Sequence, residues 1–326
     1  MKNLVTAALL LVFLCFSISA ISQALSNSSK FTIHADLRDL MLKEGYKEIP
    51  LYWQEHSKTL LIQASFNAEK PQWFIIDSGA VVSSIDPRTV ATQKLIPSKD
   101  ILILNGSDNS HQRALKVNIP QLTLAEFTSY NLNAYMVDHS FMDINAQPIA
   151  GTLGLDFLYS HLAVLDMVNH RLYLKPGTGL FNARNLLLRQ ILLETAGYQT
   201  NTFQHTASGN QLLLTGINNA SPVTFVVDSG SPFTMLSVNY AKTLALQLLP
   251  TKKQATGIGG KLMNIFKTNA KQLTIDKSNW ALPEIAAINF NYIDSSTPLH
   301  GILGADWLEQ GRAIIDFAAD RIFTQA

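Results

Sequence analysis

The strongest constraint on this chain is a stretch that it carries twice. Residues 74–85 read FIIDSGAVVSSI and residues 225–236 read FVVDSGSPFTML. In each, an apolar run of strand type ends in Asp-Ser-Gly and then turns back into apolar residues. The two acids, Asp77 and Asp228, stand 151 positions apart. One such site alone is an ordinary turn closing a strand, because Asp, Ser and Gly all suit turns. Its context argues for more. An acid directly behind Phe-Ile-Ile or Phe-Val-Val sits at the end of a core strand, where removing it from water is costly. A turn has no use for that cost, and meeting it twice calls for a chemical reason.

The same offset recurs along the chain. Leu37-Arg38-Asp39-Leu40-Met41-Leu42 lines up with Leu188-Arg189-Gln190-Ile191-Leu192-Leu193, and Gly45-Tyr46 answers to Gly197-Tyr198 after a one-residue slip. Residues 60–80 align without gaps on 211–231, matching at Leu61/Leu212, Asn67/Asn218, Pro71/Pro222 and Phe74/Phe225. GTLGLDFL (151–158) answers to GILGADWL (301–308), after which Asp166 and Arg171 fall on Asp316 and Arg321. A period this long means two copies of one domain rather than a solenoid. Pro176-Gly177-Thr178-Gly179 has turn chemistry and no periodicity, which makes it the expected linker. The expected division is a leader over 1–24, a first lobe over 25–178 and a second over 179–326.

Each copy reads as a short opening helix (36–44 and 186–195) followed mostly by strands. Leu60–Phe66, Trp73–Ile76, Leu212–Ile217 and Thr224–Val227 are short β-rich runs between turn residues. Residues 87–96 and 238–248 have helical leucine spacing. Short apolar runs make up the remainder, as at 101–104, 115–119, 163–167 and 171–174. The expected class is all-β, with a few short helices.

Apolar residues make up 47% of the 326 and charged residues only 15%, which supports substantial cores and argues against disorder. Lys2, the apolar run Leu4 to Phe16 and Ser22-Gln23-Ala24 have the form of a secretory signal cleaved near Leu25. A periplasmic or secreted protein is therefore expected, with retention of the segment as an anchor the alternative. Val12-Phe13-Leu14-Cys15 lacks the small residue that precedes a lipoprotein cysteine. Cys15 is the only cysteine, so the mature chain would have no disulfide, thiol nucleophile or cysteine metal site. Without residues 1–24 it would carry 24 basic and 24 acidic residues, a balance with no footprint for nucleic acid or an anionic membrane. No cofactor and no metal are expected.

Two acids, one per homologous lobe, can be brought face to face by a pseudo-twofold axis. Adjacent carboxyls cannot both ionise easily, so they would share a proton and titrate as a pair. Such a pair can hold a water, take its proton as it attacks a peptide carbonyl, and return a proton to the leaving nitrogen. Other hydrolytic motifs are missing: there is no Gly-x-Ser-x-Gly elbow and no His-Glu-x-x-His helix.

On these residues the chain resembles the aspartic proteases, both the two-lobed pepsin-like enzymes and the retropepsins with one lobe per subunit. The resemblance covers nearly all of the mature chain and implies two homologous β-barrel lobes of acid-protease type. It makes Asp77 and Asp228 the catalytic dyad. Ser78 and Ser229 would tie the two active-site loops together, and Gly79 and Gly230 would let the backbone approach closely. Ser83 and Thr234 match the family's hydroxyl four residues after the glycine. Thr152-Leu153-Gly154 and Ile302-Leu303-Gly304 match its strand behind the catalytic loop, and the continuation Leu-Gly-x-Asp-x-Leu is typical of bacterial retropepsin-like domains. Gly257-Ile258-Gly259-Gly260 lies where retropepsins carry the glycine-rich flap that closes over substrate. Asn105–Asn109 is either a second flap or a solvated turn.

The lobes differ at Ala80 and Ser231. A Ser231 hydroxyl bonded to the outer oxygen of Asp228 would make Asp228 the ionised base and Asp77 the proton holder. Val81-Val82 and Pro232-Phe233 would line apolar subsites. The leading expectation is an aspartic endopeptidase acting on peptide or protein substrates, a monomer with both lobes in one chain. The alternatives are a non-catalytic peptide-binding protein of the same fold and a membrane-tethered processing protease.

Overall fold

The computed structural model describes residues 33–325 except 68, 107, 109, 145–146, 178–181, 207–210, 216–222, 271, 276–277, 282–284 and 290–298. The expected leader (1–24) lies outside the described residues, as do Thr178 and Gly179 of the expected linker. No described helix is long and apolar enough to cross a membrane.

Each half builds one sheet with the same strand order. In the first half the order is 52–54, 59–66, 72–76, 149–153, 84–85, 127–136, 111–124 and 97–105. A further pairing, Ser65 with Thr123 and Phe66 with Leu122, closes six of these strands into a barrel. The second half runs 204–205, 211–215, 223–227, 301–303, 235–237, 286–288, 262–268 and 248–256. Here the long hairpin 111–124/127–136 has a broken counterpart. Strands 262–268 and 286–288 stop, and a separate pair, 272–275 with 278–281, continues. At the break Thr268 donates its hydroxyl to the Ile285 carbonyl at 2.5 Å and accepts the Ala270 amide at 3.2 Å. A side chain there takes groups that a continuous ladder would have used.

The strands that lead to the two acids are central in their sheets, which explains their unbroken apolar runs. Gln72–Ile76 pairs in parallel with Ile149–Leu153, and Val223–Val227 with Gly301–Leu303. Phe74 and Phe225 are fully buried at equivalent places, each worth roughly 2–3 kcal/mol of removed apolar surface.

A third, six-stranded sheet belongs to both halves. Its antiparallel order is 47–50, 171–174, 164–166, 314–316, 321–324 and 199–202. The seam pairs Leu165 with Ile315 at its midpoint, so the repeat meets itself about a local twofold. Helices Ile33–Lys43 and Ala183–Thr195 cover this sheet, burying Leu37, Met41 and Leu193 against Val164, Ile314 and Phe323. Arg189 is buried there too, ion-paired with Asp316 at 3.3 Å.

Two helices are shorter than their leucine spacing predicts. The first spans Pro87–Thr92, capped by Asp86, and the second Val238–Thr243, capped by Ser237. Lys94 (φ 52°) and Ala245 (φ 53°) turn left-handed, and the chain passes into strands at Pro97 and Leu248.

Candidate active site

Asp77 and Asp228 each follow the last residue of a buried central strand. Their amides still donate to the neighbouring strand, Asp77 to the Leu153 carbonyl at 3.1 Å and Asp228 to the Leu303 carbonyl at 2.9 Å. The chain then turns, and each carboxylate folds back over its own loop. Oδ1 of Asp77 accepts the amides of Gly79 (2.8 Å) and Ala80 (3.0 Å). Oδ1 of Asp228 accepts those of Gly230 and Ser231, both at 2.9 Å.

The two loops are clasped to each other through Ser78 and Ser229, both completely buried. The Ser78 hydroxyl donates to the Val227 carbonyl (2.8 Å) and accepts the Ser229 amide (3.0 Å). The Ser229 hydroxyl donates to the Ile76 carbonyl (2.8 Å) and accepts the Ser78 amide (3.0 Å). This four-bond clasp leaves no room beside it. A Cβ on Gly79 would lie 2.3 Å from Cγ of Asp228, and one on Gly230 would lie 2.4 Å from Cγ of Asp77. The glycines are thus required by the opposite lobe's acid, and the two carboxyls face each other across the clasp.

Behind each loop stands the Leu-Gly-x-Asp element. Leu155 and Asp156 amides donate to the Ala80 and Val81 carbonyls; those of Ala305 and Asp306 donate to Ser231 and Pro232. Ser83 donates its hydroxyl to Oδ1 of Asp156 (2.6 Å) and accepts the Gly154 amide (3.1 Å). Thr234 does the same with Asp306 (2.8 Å) and Gly304 (3.1 Å). The hydroxyls at 83 and 234 therefore hold the back of the site rather than face a substrate. Asp156 and Asp306 were visible in the sequence only as part of a pattern; their partners, more than seventy residues away, supply the role.

The expected effect of Ser231 does not occur. Its hydroxyl donates to the Phe233 carbonyl at 3.1 Å, and only its backbone amide reaches Asp228. Ala80 offers Asp77 the same amide, so the side-chain difference between the lobes does not select an ionised member. Burial raises both carboxyls above the ordinary range, and because each lies beside the other they titrate as one pair.

The acids form the floor of a cavity of about 510 Å³. Val81, Val82 and Pro232 line it as expected. Phe233 is half exposed and does not, because the turn that lends its carbonyl to Ser231 carries its ring outward. Gly257 and Ile258 roof the cavity at the tip of the hairpin Leu248–Thr256/Leu262–Thr268; Gly259 and Gly260 (φ 72°) complete that turn. Asn105 and Gly106 roof it from the first lobe, while Ser107 and Asn109 of the same segment lie outside the described residues. The tips touch. Asp108, buried and charged, accepts the Lys261 amide at 3.1 Å and the Ser110 hydroxyl at 2.5 Å. A Cβ on Gly259 would strike Ser110.

Among solved structures the chain is similar to an aspartic proteinase from Irpex lacteus (13% identity, 86% of this chain and 98% of that one, TM-score 0.48). It is also similar to basic 7S globulin from soybean (11% identity, 86% and 94%, TM-score 0.47). No curated protein sequence matches it significantly. The family model described as aspartyl protease matches residues 62–157 and again 215–307, together more than half of the chain. Both matched segments begin in the strand that pairs with the one leading to Asp-Ser-Gly and end in the Leu-Gly-x-Asp helix, and the chain belongs to the aspartyl protease family.

Proposed function

We propose that the protein is an aspartic-type endopeptidase that uses a water held between Asp77 and Asp228 to hydrolyse peptide bonds. One observation carries the reading: two part-buried carboxyls face each other across the lobe clasp, under a cavity roofed by two hairpins. One carboxyl keeps its proton while the other is ionised, because burial and proximity oppose a second charge. The ionised member takes a proton from water as its oxygen bonds to the peptide carbon. The protonated member hydrogen-bonds the carbonyl oxygen, and a proton passes to the leaving nitrogen as the C–N bond breaks. The flaps part to admit a peptide and close again to exclude water. Residues 1–24 would direct the protein to the periplasm or outside the cell, where it would act as a monomer.

The test is cleavage of a diverse peptide library from pH 3 to pH 8 by the parent, Asp77→Asn and Asp228→Asn. The parent should cut and neither variant should. A parent that cuts nothing, or variants that cut as well, would refute the enzyme; peptide affinity without cleavage in all three would make it a binding protein. Mature protein beginning near Leu25 in the exported fraction would support the leader.

A further inference from the structure

Two positions that face the cavity are occupied by opposite chemistries in the two lobes. Seven residues after each catalytic aspartate stand Ser84 and Met235. Two residues before each Leu-Gly-x-Asp glycine stand Thr152 and Ile302. The ladders pair them equivalently, Ser84 with Thr152 and Met235 with Ile302, and all four line the cavity. In the second lobe Met235 and Ile302 join Met263 and Ile288 in one apolar cluster.

The first lobe sets His139 into this wall, between Val137 and Met142. This imidazole is 2% exposed and lines the same cavity. Its Nδ1 lies 2.7 Å from the Val137 carbonyl, which requires the proton on that nitrogen. Burial keeps the ring neutral. Nε2 therefore offers a single lone pair, yet two hydroxyls approach it, Ser84 at 3.0 Å and Thr152 at 3.2 Å. Only one of them can donate fully, so the other has a proton to give elsewhere. A polar trio with a spare donor, His139 and Thr152 buried and Ser84 partly so, is costly against an apolar side chain and favourable against one that accepts a hydrogen bond.

We infer that the first lobe forms a polar subsite, built on His139, Ser84 and Thr152, for an uncharged hydrogen-bonding side chain next to the scissile bond, while the second lobe takes an apolar one. Preferred substrates then carry Asn, Gln, Ser or Thr at one of the two positions flanking the cut and a large apolar residue at the other. This rests on the endopeptidase reading for its setting, but the subsite itself can be detected by binding.

The experiment uses octapeptides varied at their two central positions. Cleavage is read with the parent chain, and binding with Asp77→Asn, which holds peptide without cutting it. The parent should prefer polar over apolar residues at one central position by roughly ten- to hundredfold in kcat/KM. Ser84→Met combined with Thr152→Ile, which installs the second lobe's residues, should erase or invert that preference and leave the other position unchanged. Thr152→Val removes one hydroxyl at nearly constant shape and should weaken the preference in a chain whose thermal unfolding matches the parent. Apolar preference at both positions in the parent would overturn the inference, as would a polar preference that neither variant moves. If peptides bind with that preference and are not cut, the endopeptidase reading fails and the subsite stands; if they neither bind nor are cut, both fail.

Discussion

The two halves of this molecule agree bond for bond where they hold the carboxyls and diverge where they face the cavity. Each Asp accepts the same two amides, each Ser donates to a carbonyl and accepts an amide of the other loop, and each hydroxyl behind the loop grips the same Asp. Around that frame Ser84 becomes Met235, Thr152 becomes Ile302, and one flap offers Asp108 where the other offers glycines. The core differs as well. Phe157 and Phe127 sandwich His161 in the first lobe; at the equivalent place Trp307 meets Trp280 over Gly311, whose missing Cβ leaves room for the Trp280 ring. A dyad requires two copies of one frame, whereas filling space or binding an asymmetric peptide does not. Symmetry therefore survives at the frame and is lost elsewhere.

That comparison can be broken most sharply at the acids. Asp77→Asn and Asp228→Asn should each lower kcat by about a thousandfold or more, and by similar factors, because the pair acts as a unit. A variant in either lobe that kept most of its activity would show that the halves are not equivalent in the way their bonding suggests.

The clasp gives the next largest effect. Ser78→Ala or Ser229→Ala strips the partner from one buried carbonyl and one buried amide, at about 2–4 kcal/mol. Denaturant midpoints should fall by equal amounts in the two variants, and unequal losses would place the stress in one lobe.

Acid sensitivity probes the first core through His161. Burial lowers His161 to about 4, against about 6.5 in an unfolded chain. Between those values the unfolded state binds a proton that the folded state refuses, so stability is lost as pH falls from about 6.5 to about 4. His161→Gln should flatten that limb in thermal unfolding; replacing Gly311 cannot reproduce the effect. The dyad has the opposite sign. Its raised values mean that the folded state holds a proton longer, so stability declines as pH rises above the ordinary carboxylate range. Asp77→Asn should reduce that decline.

The smallest effect belongs to the flaps. Asp108→Ala removes the acceptor for Lys261 and Ser110, and kcat/KM should fall two- to fivefold. A loss confined to kcat with unchanged KM would mean that the contact does not govern closure.

Much of this was legible in the sequence because the repeat supplies two readings of every element. Strands such as 72–76 and 223–227, the opening helices and the positions of both acids follow from residues that local chemistry and the offset determine together. What could not be read depends on partners distant in the chain. The helix that begins at Pro87 stops early because Lys94 turns left-handed, and no residue there announces it. The Ser231 hydroxyl donates to the Phe233 carbonyl two residues on, a local turn contact that the sequence does not distinguish from a bond to Asp228. Asn105–Asn109 reads as a polar turn whether it faces water or a cavity. His139 is an ordinary scattered histidine until the sheet sets it beside Ser84 and Thr152.

The central claim is that the two halves of one chain complete one active site. Asp77→Asn and Asp228→Asn chains, each inactive, should be unfolded together, refolded as a mixture and assayed on a peptide that the parent cuts. If the lobes pair within a chain, every molecule keeps one damaged acid and the mixture stays inactive. Recovery of a substantial fraction of parental activity would mean that lobes pair between chains, and would contradict the intramolecular site described above.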